Sequence, residues 1–506
     1  MSETDTHARG RLSSLDISKE ALDQISSQAT ALVLEYFSHV SELPVFPENY
    51  AGKTTQLVNT ELSQEGEPLE KLIEECRTIM NLSRHNGHPC FFGYVASPST
   101  PIGAYADLIA SALNSNVTCW RSAPAATEIE RTVVRWLGSL IRYDENAKGL
   151  LTSGGSMANL IALLIASRRK AGVGIARSGL WNSGAPLTLY ASEEVHLSIP
   201  KAADILGLGR DNVRTVACDD RLRMNVEALR ERIIQDVGNG YRPFCVVASA
   251  GTVGTGAVDP LEEIAKVARE FDLWFHIDGA YGAPAALDPR KRKLFQGLEL
   301  ADSVSLDPHK WLYIPVDAGS LLFRDDAAAS AAFSVSDADY IKTHGLSDDA
   351  AFAFWDYGVE LSRRFRALKV WLTLRYYGVD RISEAISEDM TLAEYLASVV
   401  EEAKDFELLA SVQLSICCFR YLPASVGLQY ATADEAGRVR LDREVDSMNE
   451  RIMSQVQKSG RAYLSNATVH GRFALRVCVT NFRTTRADID ETLEVIRATA
   501  IQNQLL

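Results

Sequence analysis

Between Gly149 and Arg324, short apolar segments alternate with segments whose apolar residues recur at helical spacing. The apolar segments are PLTLYAS, VRTVACD, PFCVVASA, LWFHIDG, DSVSLDP and GSLLFRD. The helical segments between them include SMANLIALLIASRRKAG, NVEALRERIIQDV and LEEIAKVAREF. The apolar segments are continuous rather than alternating with polar residues, which is typical of strands covered on both faces. This order of elements predicts an α/β domain around a mostly parallel central sheet.

The segments on either side of this alternation have a different character. With 506 residues the chain is too long for one simple core, so two or three domains are expected. The first hundred residues are mainly helical in pattern, whereas the tail mixes strand patterns such as RFALRVCVTN with helical ones. We predict a helical N-terminal segment over residues 1–100, a large α/β domain over 101–378 and a small C-terminal α+β domain over 379–506.

The charge balance narrows the class of partners. The chain carries 52 Lys and Arg against 66 Asp and Glu, a formal net charge of −14, which argues against a nucleic-acid-binding face. The longest apolar stretches, such as LIALLIAS, are too short to cross a bilayer. The eight cysteines form no CxxC pair, and the start MSETDTHARGRL lacks the pattern of a signal peptide. We therefore expect a cytoplasmic protein with reduced thiols and no metal site, whose partners include neither nucleic acid nor a membrane.

Two of the predicted strands end at polar groups suited to a ligand. Asp278 closes LWFHID, where a carboxylate needs a cation or several hydrogen-bond donors, although a turn aspartate would have the same position. In LLTSGGSMANL, Gly155 and Ser156 stand where a helix opens, so free N–H groups and the helix dipole would face an anion. An ordinary capped loop is the alternative. The pattern matches neither GxGxxG nor GxxxxGK[ST], which disfavours a dinucleotide or P-loop site.

Lys310, in SLDPHKW, lies just after a third predicted strand, with Asp307 and His309 beside it. A buried ammonium without a partner tends to lose its proton, so we expect a lowered pKa and a nucleophile for carbonyl groups. An aldehyde that also carries a ring nitrogen and a phosphate would need a lysine, a carboxylate and an anion seat together. Pyridoxal 5'-phosphate is such a molecule.

The same motifs carry a family resemblance. TSGGSMANL, HLSIPKAA, HIDGAYG, SLDPHKW and SRRFRALKVW occur in an order and at a spacing that resemble the pyridoxal-phosphate group II amino-acid decarboxylases, nearest to the aromatic-L-amino-acid branch. The resemblance extends from about Leu15 to Ile496. It implies the type I, aspartate aminotransferase-like fold of pyridoxal-phosphate transferases. It also implies a homodimer whose N-terminal helices wrap around the partner.

The resemblance implies a role for each motif residue. Lys310 would bind the aldehyde as a Schiff base, Asp278 would pair with the ring nitrogen, and Ala280 and His196 would cover the two ring faces. Ser249 would lie near the ring hydroxyl, and Arg364 would support the site without touching the ligand. The full set of implied cofactor-binding residues is Gly155, Ser156, His196, Ser249, Asp278, Ala280, Asp307, His309 and Lys310.

Tyr340, in SVSDADYIKTHGLSDD, occupies the position of the family's catalytic tyrosine. From the residues alone, a tyrosine in this polar segment would more often be a half-buried ring in a lid. The resemblance makes it the acid that reprotonates the substrate carbon. Relatives with phenylalanine there produce an aldehyde instead, so the tyrosine favours simple decarboxylation. The intact set Lys310, His196, Asp278 and Tyr340 also argues against an inactive binding protein of the same fold.

The substrate pocket is defined less sharply. By resemblance, Tyr94 and Val95 would border the substrate, and Asn116 and Thr118 would reach into the partner subunit's site. No basic residue is expected near Tyr94 or Thr118, which disfavours an acidic substrate. We expect an aromatic L-amino acid, tyrosine or dihydroxyphenylalanine before tryptophan. The alternatives are a non-aromatic substrate such as glutamate or diaminobutyrate, and oxidative aldehyde synthesis.

Overall fold

A computed structural model describes residues 15–47, 51–62, 64–172, 174–333 and 352–502. Its central sheet has seven strands in the order β1-β7-β6-β5-β4-β2-β3. The strands are β1 Lys148–Thr152, β2 Leu187–Ser192, β3 Val213–Val216, β4 Arg242–Ser249, β5 Trp274–Asp278, β6 Ser303–Leu306 and β7 Gly319–Phe323. β7 runs antiparallel to β1 and β6, and the other neighbouring pairs are parallel. The predicted mostly parallel sheet is confirmed.

Helices cover this sheet as the strand–helix alternation predicts. The helices before β7 are α1 Lys19–His39, α2 Ala51–Val58, α3 Leu69–Asn81, α4 Pro101–Leu113, α5 Pro124–Leu140, α6 Gly155–Ala171, α7 Ile175–Ser178, α8 Ser198–Ile205, α9 Val226–Gly238 and α10 Leu261–Glu270. α6 packs across β4, β5, β6 and β7, and α9 and α10 pack on β4. Every residue of β2, β5, β6 and β7 is buried, which explains their continuously apolar sequences.

A second, smaller sheet is built from the tail of the chain. β8 Phe406–Leu408, β9 Ile416–Tyr421, β10 Ser465–Val469 and β11 Arg472–Cys478 form a four-stranded antiparallel sheet in the order β10-β11-β9-β8. The remaining helices are α11 Asp326–Phe333, α12 Ala367–Glu402, α13 Ala424–Thr432, α14 Glu435–Ser459 and α15 Arg486–Gln502. The C-terminal α+β architecture is therefore confirmed.

The 36-residue α12 connects the two sheets and bends at Gly378, whose φ of 73° is not helical. The predicted boundary between residues 378 and 379 coincides with this bend, and the division into domains stays a prediction. Residues from the N-terminal segment share the core of the small sheet: Phe92 N donates to Tyr463 O at 2.8 Å, and Val45 is fully buried there. The eight cysteines are free, five of them buried. Among the described residues, no helix is long and apolar enough to cross a membrane.

Candidate active site

A cavity of about 760 Å³ opens where the carboxyl ends of β4, β5 and β6 meet residues of the small sheet. Parallel strands end at the same edge of a sheet, so polar residues distant in sequence converge there. The cavity contains all nine residues predicted to bind the cofactor, together with Tyr94 and Val95. The structure thus brings together most of the residues that the sequence singled out.

Asp278 is buried and held by three donors at the end of β5. Asn159 Nδ2 donates to Oδ2 at 2.8 Å, and Ser305 Oγ and the N–H of Ala280 donate to Oδ1 at 3.2 and 3.1 Å. Burial alone would raise the pKa of Asp278, but the charge of Lys310 leads a set of opposing contributions that lower it. The lowered pKa favours the carboxylate form of Asp278, which suits a cationic ring nitrogen.

Lys310 projects from the turn after β6, and its side chain is 22% exposed. Its Nζ lies 3.0 Å from Asp307 Oδ2. Burial would lower the pKa of Lys310, but the carboxylates of Asp307 and Asp278 outweigh it and raise the pKa. The expected lowered pKa is therefore wrong for the protein without a ligand, because the sequence analysis treated the amine as unpaired although Asp307, on the same turn, and Asp278 both lie beside it.

The start of α6 forms the predicted anion seat. The first helical bond is donated by Met157 to Gly154 O at 3.0 Å, so the N–H groups of Gly155 and Ser156 precede the helical hydrogen bonds. A Cβ on Gly155 would lie 2.8 Å from Ala280 Cβ and 2.9 Å from Asp307 Oδ2, which explains why glycine is needed there. Together these features leave room for an anion next to the backbone.

His196 and Ser249 complete the same wall of the cavity. His196 Nδ1 lies 2.8 Å from Ser198 Oγ, and burial is the main cause of its lowered pKa. Ser249 is buried at the end of β4, in register with Asp278 on β5. Its N–H donates to Asp259 Oδ2 at 2.7 Å, which fixes the strand end.

The sequence analysis did not single out three buried polar residues that connect these side chains: Asn159, Ser198 and His276. Asn159 bonds both Asp278 and Ser198, and His276 lies 3.0 Å from Asn159 Oδ1. Each was hidden inside an apolar-looking helix or strand. The available signal was a polar side chain at a position that the helical or strand pattern assigns to the core.

Arg476, on β11, reaches the cavity from the small sheet and was also missed. Its Nε and Nη1 donate to carbonyl groups, including Tyr94 O at 2.8 Å. Its Nη2 is buried and has no hydrogen-bond partner within the described residues. Arg84 stacks on the Tyr94 ring, with its guanidinium carbon 5.1 Å from the centroid. The expectation that no basic residue lies near Tyr94 is therefore wrong: Arg476 comes from a segment distant in sequence, and the loop between Arg84 and Tyr94 folds back so that the guanidinium lies over the ring.

Some predicted residues lie elsewhere. Asn116 Oδ1 accepts from Arg363 N at 2.8 Å, and Thr118 O accepts from Phe354 N at 2.9 Å; neither residue lines the cavity. Their predicted role belongs to the partner subunit's site and stays a prediction. Arg364 pairs with Asp107 at 3.2 Å, outside the cavity. Tyr340 lies outside the described residues.

The donor set fits pyridoxal 5'-phosphate. Asp278 offers a carboxylate to a ring nitrogen, Lys310 offers an amine to an aldehyde, and the start of α6 offers N–H groups to a phosphate. Asp307 Oδ1 is buried without a hydrogen-bond partner within the described residues, so the site still has an acceptor to offer.

The chain matches the family model described as the pyridoxal-dependent decarboxylase conserved domain over residues 51–422. An aromatic-L-amino-acid decarboxylase from Bacillus atrophaeus is 34% identical, covering 96% of this chain and 97% of the relative. A phenylacetaldehyde synthase from a Rosa hybrid cultivar is 28% identical, covering 92% of this chain and 91% of the relative. The crystal structure of Oryza sativa TDC with PLP and tryptamine has a TM-score of 0.86 and 27% identity, covering 97% of this chain and 99% of that one.

These similarities run through nearly the whole chain and include the cavity with its lysine and aspartate. They confirm the fold class and the cofactor that the motifs predicted. The chain belongs to the pyridoxal-dependent decarboxylase family and is a pyridoxal-phosphate-dependent amino-acid decarboxylase.

Proposed function

We propose that the protein decarboxylates an aromatic L-amino acid, tyrosine or dihydroxyphenylalanine before tryptophan, and releases the amine and carbon dioxide. The observation that carries the proposal is the arrangement of Asp278, Lys310 and Arg476 around one cavity. Similarity over 96% of the chain to an aromatic-L-amino-acid decarboxylase supports the aromatic class.

When bound, pyridoxal phosphate supplies a cationic ring that accepts the electron pair released as the Cα–carboxylate bond breaks. With the cofactor bound, Asp278 would hold a proton on the ring nitrogen, because a carboxylate in a buried site stabilises an adjacent positive charge. The three donors on Asp278 hold both oxygens in place, so little reorganisation is needed during the reaction.

With the cofactor bound, Lys310 would provide the amine that holds it. The carboxylate of Asp307, 3.0 Å away, stabilises the protonated amine whenever Lys310 is free. Lys310 therefore has a place to return to between turnovers, without an unpaired charge in a buried site.

Arg476 is placed to orient the substrate. Its buried Nη2 can donate to a carboxylate, while its other donors are tied to backbone carbonyl groups that fix the guanidinium. Binding the substrate carboxylate from the small sheet would hold the Cα–carboxylate bond at a set angle to the ring. Orientation of this kind converts binding energy into rate.

The pocket beyond Arg476 suits a ring. Tyr94 is 52% exposed, and its hydroxyl lies 3.3 Å from that of Tyr463. A phenolic substrate would find hydroxyl partners there, and Val95 leaves more room than an aromatic residue would. The cation of Arg84 behind Tyr94 favours one alternative, a substrate with an acidic side chain.

Assays across the amino acids separate these substrates. Carbon dioxide release should be greatest with tyrosine or dihydroxyphenylalanine and clearly lower with glutamate and diaminobutyrate. Greater turnover of an acidic or diamino substrate would contradict the aromatic assignment. Product analysis by mass spectrometry distinguishes an amine from the aldehyde that a synthase would release.

Tyr340→Phe tests the proposed source of the proton. Loss of the phenol should shift the products from amine towards aldehyde, because a substrate carbon that is not reprotonated can be oxidised by dissolved dioxygen, with release of ammonia and hydrogen peroxide. An unchanged amine yield would mean that another group supplies the proton.

We also propose a cytoplasmic homodimer. Leu108, Ile109 and Leu113 on α4 are exposed apolar residues, and α4 leads directly to Asn116 and Thr118. A second subunit would cover this face and receive both residues in its site. Sedimentation should give a dimer, and mixing Lys310→Ala subunits with Asn116→Ala/Thr118→Arg subunits tests the sharing. Activity above that of either variant alone would support shared sites, and no complementation would contradict them.

A further inference from the structure

A chain of buried hydrogen bonds runs from Trp274 to His196, and its direction can be read from its two ends. Trp274 Nε1 lies 2.9 Å from Ser303 Oγ. An indole N–H can only donate, so Ser303 accepts there and has its own proton free for another partner. That partner is His276 Nδ1, at 2.9 Å.

Asp278 fixes the direction from the other end. Its carboxylate is ionised and can only accept, so the side-chain amide of Asn159 must turn its NH₂ group towards Asp278. The second hydrogen of that NH₂ donates to Ser198 Oγ at 2.9 Å. Asn159 Oδ1 is then left to accept from His276 Nε2 at 3.0 Å.

A neutral His276 ring can accept a hydrogen bond from Ser303 Oγ and donate one to Asn159 Oδ1. It is fully buried, and burial lowers its pKa to about 4, so one ring nitrogen donates and the other accepts near neutral pH. Nε2–H donates to Asn159, and Nδ1 accepts from Ser303. The Ser303 carbonyl oxygen, 3.2 Å from Nδ1, receives no proton in this arrangement, and the orientation of the Asn159 amide is set by Asp278.

The direction of the hydrogen bond between Ser198 and His196 can be assigned in the same way. Because Ser198 Oγ accepts from Asn159, its hydroxyl proton is available to His196 Nδ1, 2.8 Å away. The N–H of Ser198 also donates to Nδ1, at 3.2 Å. Nδ1 thus accepts twice and carries no proton, which leaves Nε2 as the protonated nitrogen of a neutral ring.

We propose that Asn159 and Ser198 are positioning residues that hold His196 as the neutral Nε2–H tautomer, so that His196 meets the bound substrate as a hydrogen-bond donor. The inference rests on the proposed function for its purpose, but the proton positions follow from the protein alone. Asn159 bonds both Asp278 and Ser198, so one amide positions the carboxylate expected to pair with the cofactor ring and the histidine expected to cover that ring.

Four charged groups act on His196 besides these bonds. Asp278 and Asp307 favour its protonation, whereas Lys310 and Lys201 oppose it. Donation to Nδ1 opposes protonation too, because the charged ring has a proton there. Removing the Ser198 hydroxyl should therefore raise the pKa of His196 while leaving the four charges in place.

The tautomer can be observed directly by NMR on protein labelled with ¹⁵N-histidine and loaded with pyridoxal 5'-phosphate, without substrate. The His196 signals are identified by their loss in His196→Gln. We expect an unprotonated Nδ1 and a protonated Nε2 at neutral pH. A protonated Nδ1 would overturn the proposal. Failure of the proposed function would instead appear as absent amine production with the tautomer unchanged.

A matched pair of variants tests the positioning role. Ser198→Ala cuts the branch to His196 and keeps the bond from Asn159 to Asp278, whereas Ser305→Ala removes one donor to Asp278 and leaves His196 alone. In Ser198→Ala, kcat should fall roughly tenfold, by analogy with the loss of a hydrogen-bond partner that orients a metal-binding histidine, and the acidic limb of the pH profile should move to higher pH. Ser305→Ala should not move that limb. A shift of equal size in both variants, or in neither, would overturn the role assigned to Ser198.

Discussion

The two sides of the cavity differ in how fully their polar side chains are paired with other groups of the protein. The cofactor wall consists of Gly155, Ser249, Asp278, Asp307 and Lys310, and the substrate wall of Tyr94, Val95, Arg476 and residues 465–468. On the cofactor wall, Asp278 has three donors and Lys310 a carboxylate partner, and the second oxygen of Asp307 is the acceptor left without a partner within the described residues. On the substrate wall, Arg476 Nη2 has no partner within the described residues and Tyr94 is 52% exposed.

The difference follows from where the walls come from. The cofactor wall belongs to strand ends of one sheet and a helix packed on it, so folding of that layer alone positions it. The substrate wall joins the small sheet to the segment around Tyr94, and its remaining donors are left for a ligand. Substitutions should therefore affect cofactor binding on one wall and substrate binding on the other.

Lys310→Ala changes the cofactor wall and should reduce turnover more than the other substitutions. Without the amine, no covalent bond to the cofactor can form, and kcat should fall by at least roughly a thousandfold. Borohydride trapping followed by mass spectrometry measures the bond, and carbon dioxide release measures turnover. Lys369→Met is the control, since Lys369 is fully buried but pairs with Asp107 outside the cavity. Retained trapping in Lys310→Ala would refute the assignment.

Asp278→Asn should have the second-largest effect on turnover. It keeps the size of the side chain but removes the charge that stabilises the protonated ring, so kcat should fall roughly a hundredfold, the order expected for a preorganised electrostatic contact. The cofactor should still bind covalently, with a changed absorbance spectrum. Asp302→Asn is a matched control because Asp302 caps the other end of β5, accepting from Phe275 N at 2.7 Å. Equal losses in both variants would mean that the effect is structural.

Arg476→Gln tests the substrate wall. Loss of a charge-assisted hydrogen bond of about 1.5–3 kcal/mol should raise KM roughly tenfold to a hundredfold. The affinity for pyridoxal phosphate should change little. Arg476→Lys should restore part of the loss, and Arg472→Gln, on the same strand but 39% exposed, should not reproduce it. A normal KM with weakened cofactor binding in Arg476→Gln would contradict the assignment of Arg476 to the substrate wall.

The same distinction separates what sequence could predict from what it could not. Asp278, Lys310 and Gly155 were identified because they lie next to recognisable strand ends or a helix start, where local pattern determines position. Asn159, His276 and Arg476 were missed because each occupies a core position of its own element. Their importance comes from partners more than a hundred residues away, and hydrogen bonds of this kind leave no periodic signal. The raised pKa of Lys310 was misjudged for another reason: its carboxylate partners, Asp307 and Asp278, were both identified from the sequence, but their effect on the amine was not counted.

Asp389, on α12, lies outside both walls, so its substitution should have the smallest effect on turnover and act mainly on stability. It is buried and accepts from Trp311 Nε1 at 2.9 Å and Tyr313 Oη at 2.7 Å, which fixes the turn that follows Lys310. Burial raises its pKa from 3.8 to about 7. The folded chain therefore binds this proton more tightly than the unfolded chain, and ionisation lowers the free energy of unfolding as pH rises from about 4 to 7.

Asp389→Asn removes this ionisation and keeps an acceptor for both aromatic donors. Its free energy of unfolding relative to the unsubstituted protein should rise with pH across that window, by roughly 4 kcal/mol at most. Denaturant titrations at pH values from about 4.5 to 8 measure this difference in the free energy of unfolding. Asp380→Asn, an exposed aspartate of the same helix, should give a flat difference. Because Trp311 stacks on Tyr281 at 5.2 Å, and Tyr281 lines the cavity, a pH dependence of kcat that disappears in Asp389→Asn would extend the cofactor wall to α12. Unchanged kcat would limit that wall to the strand ends and α6.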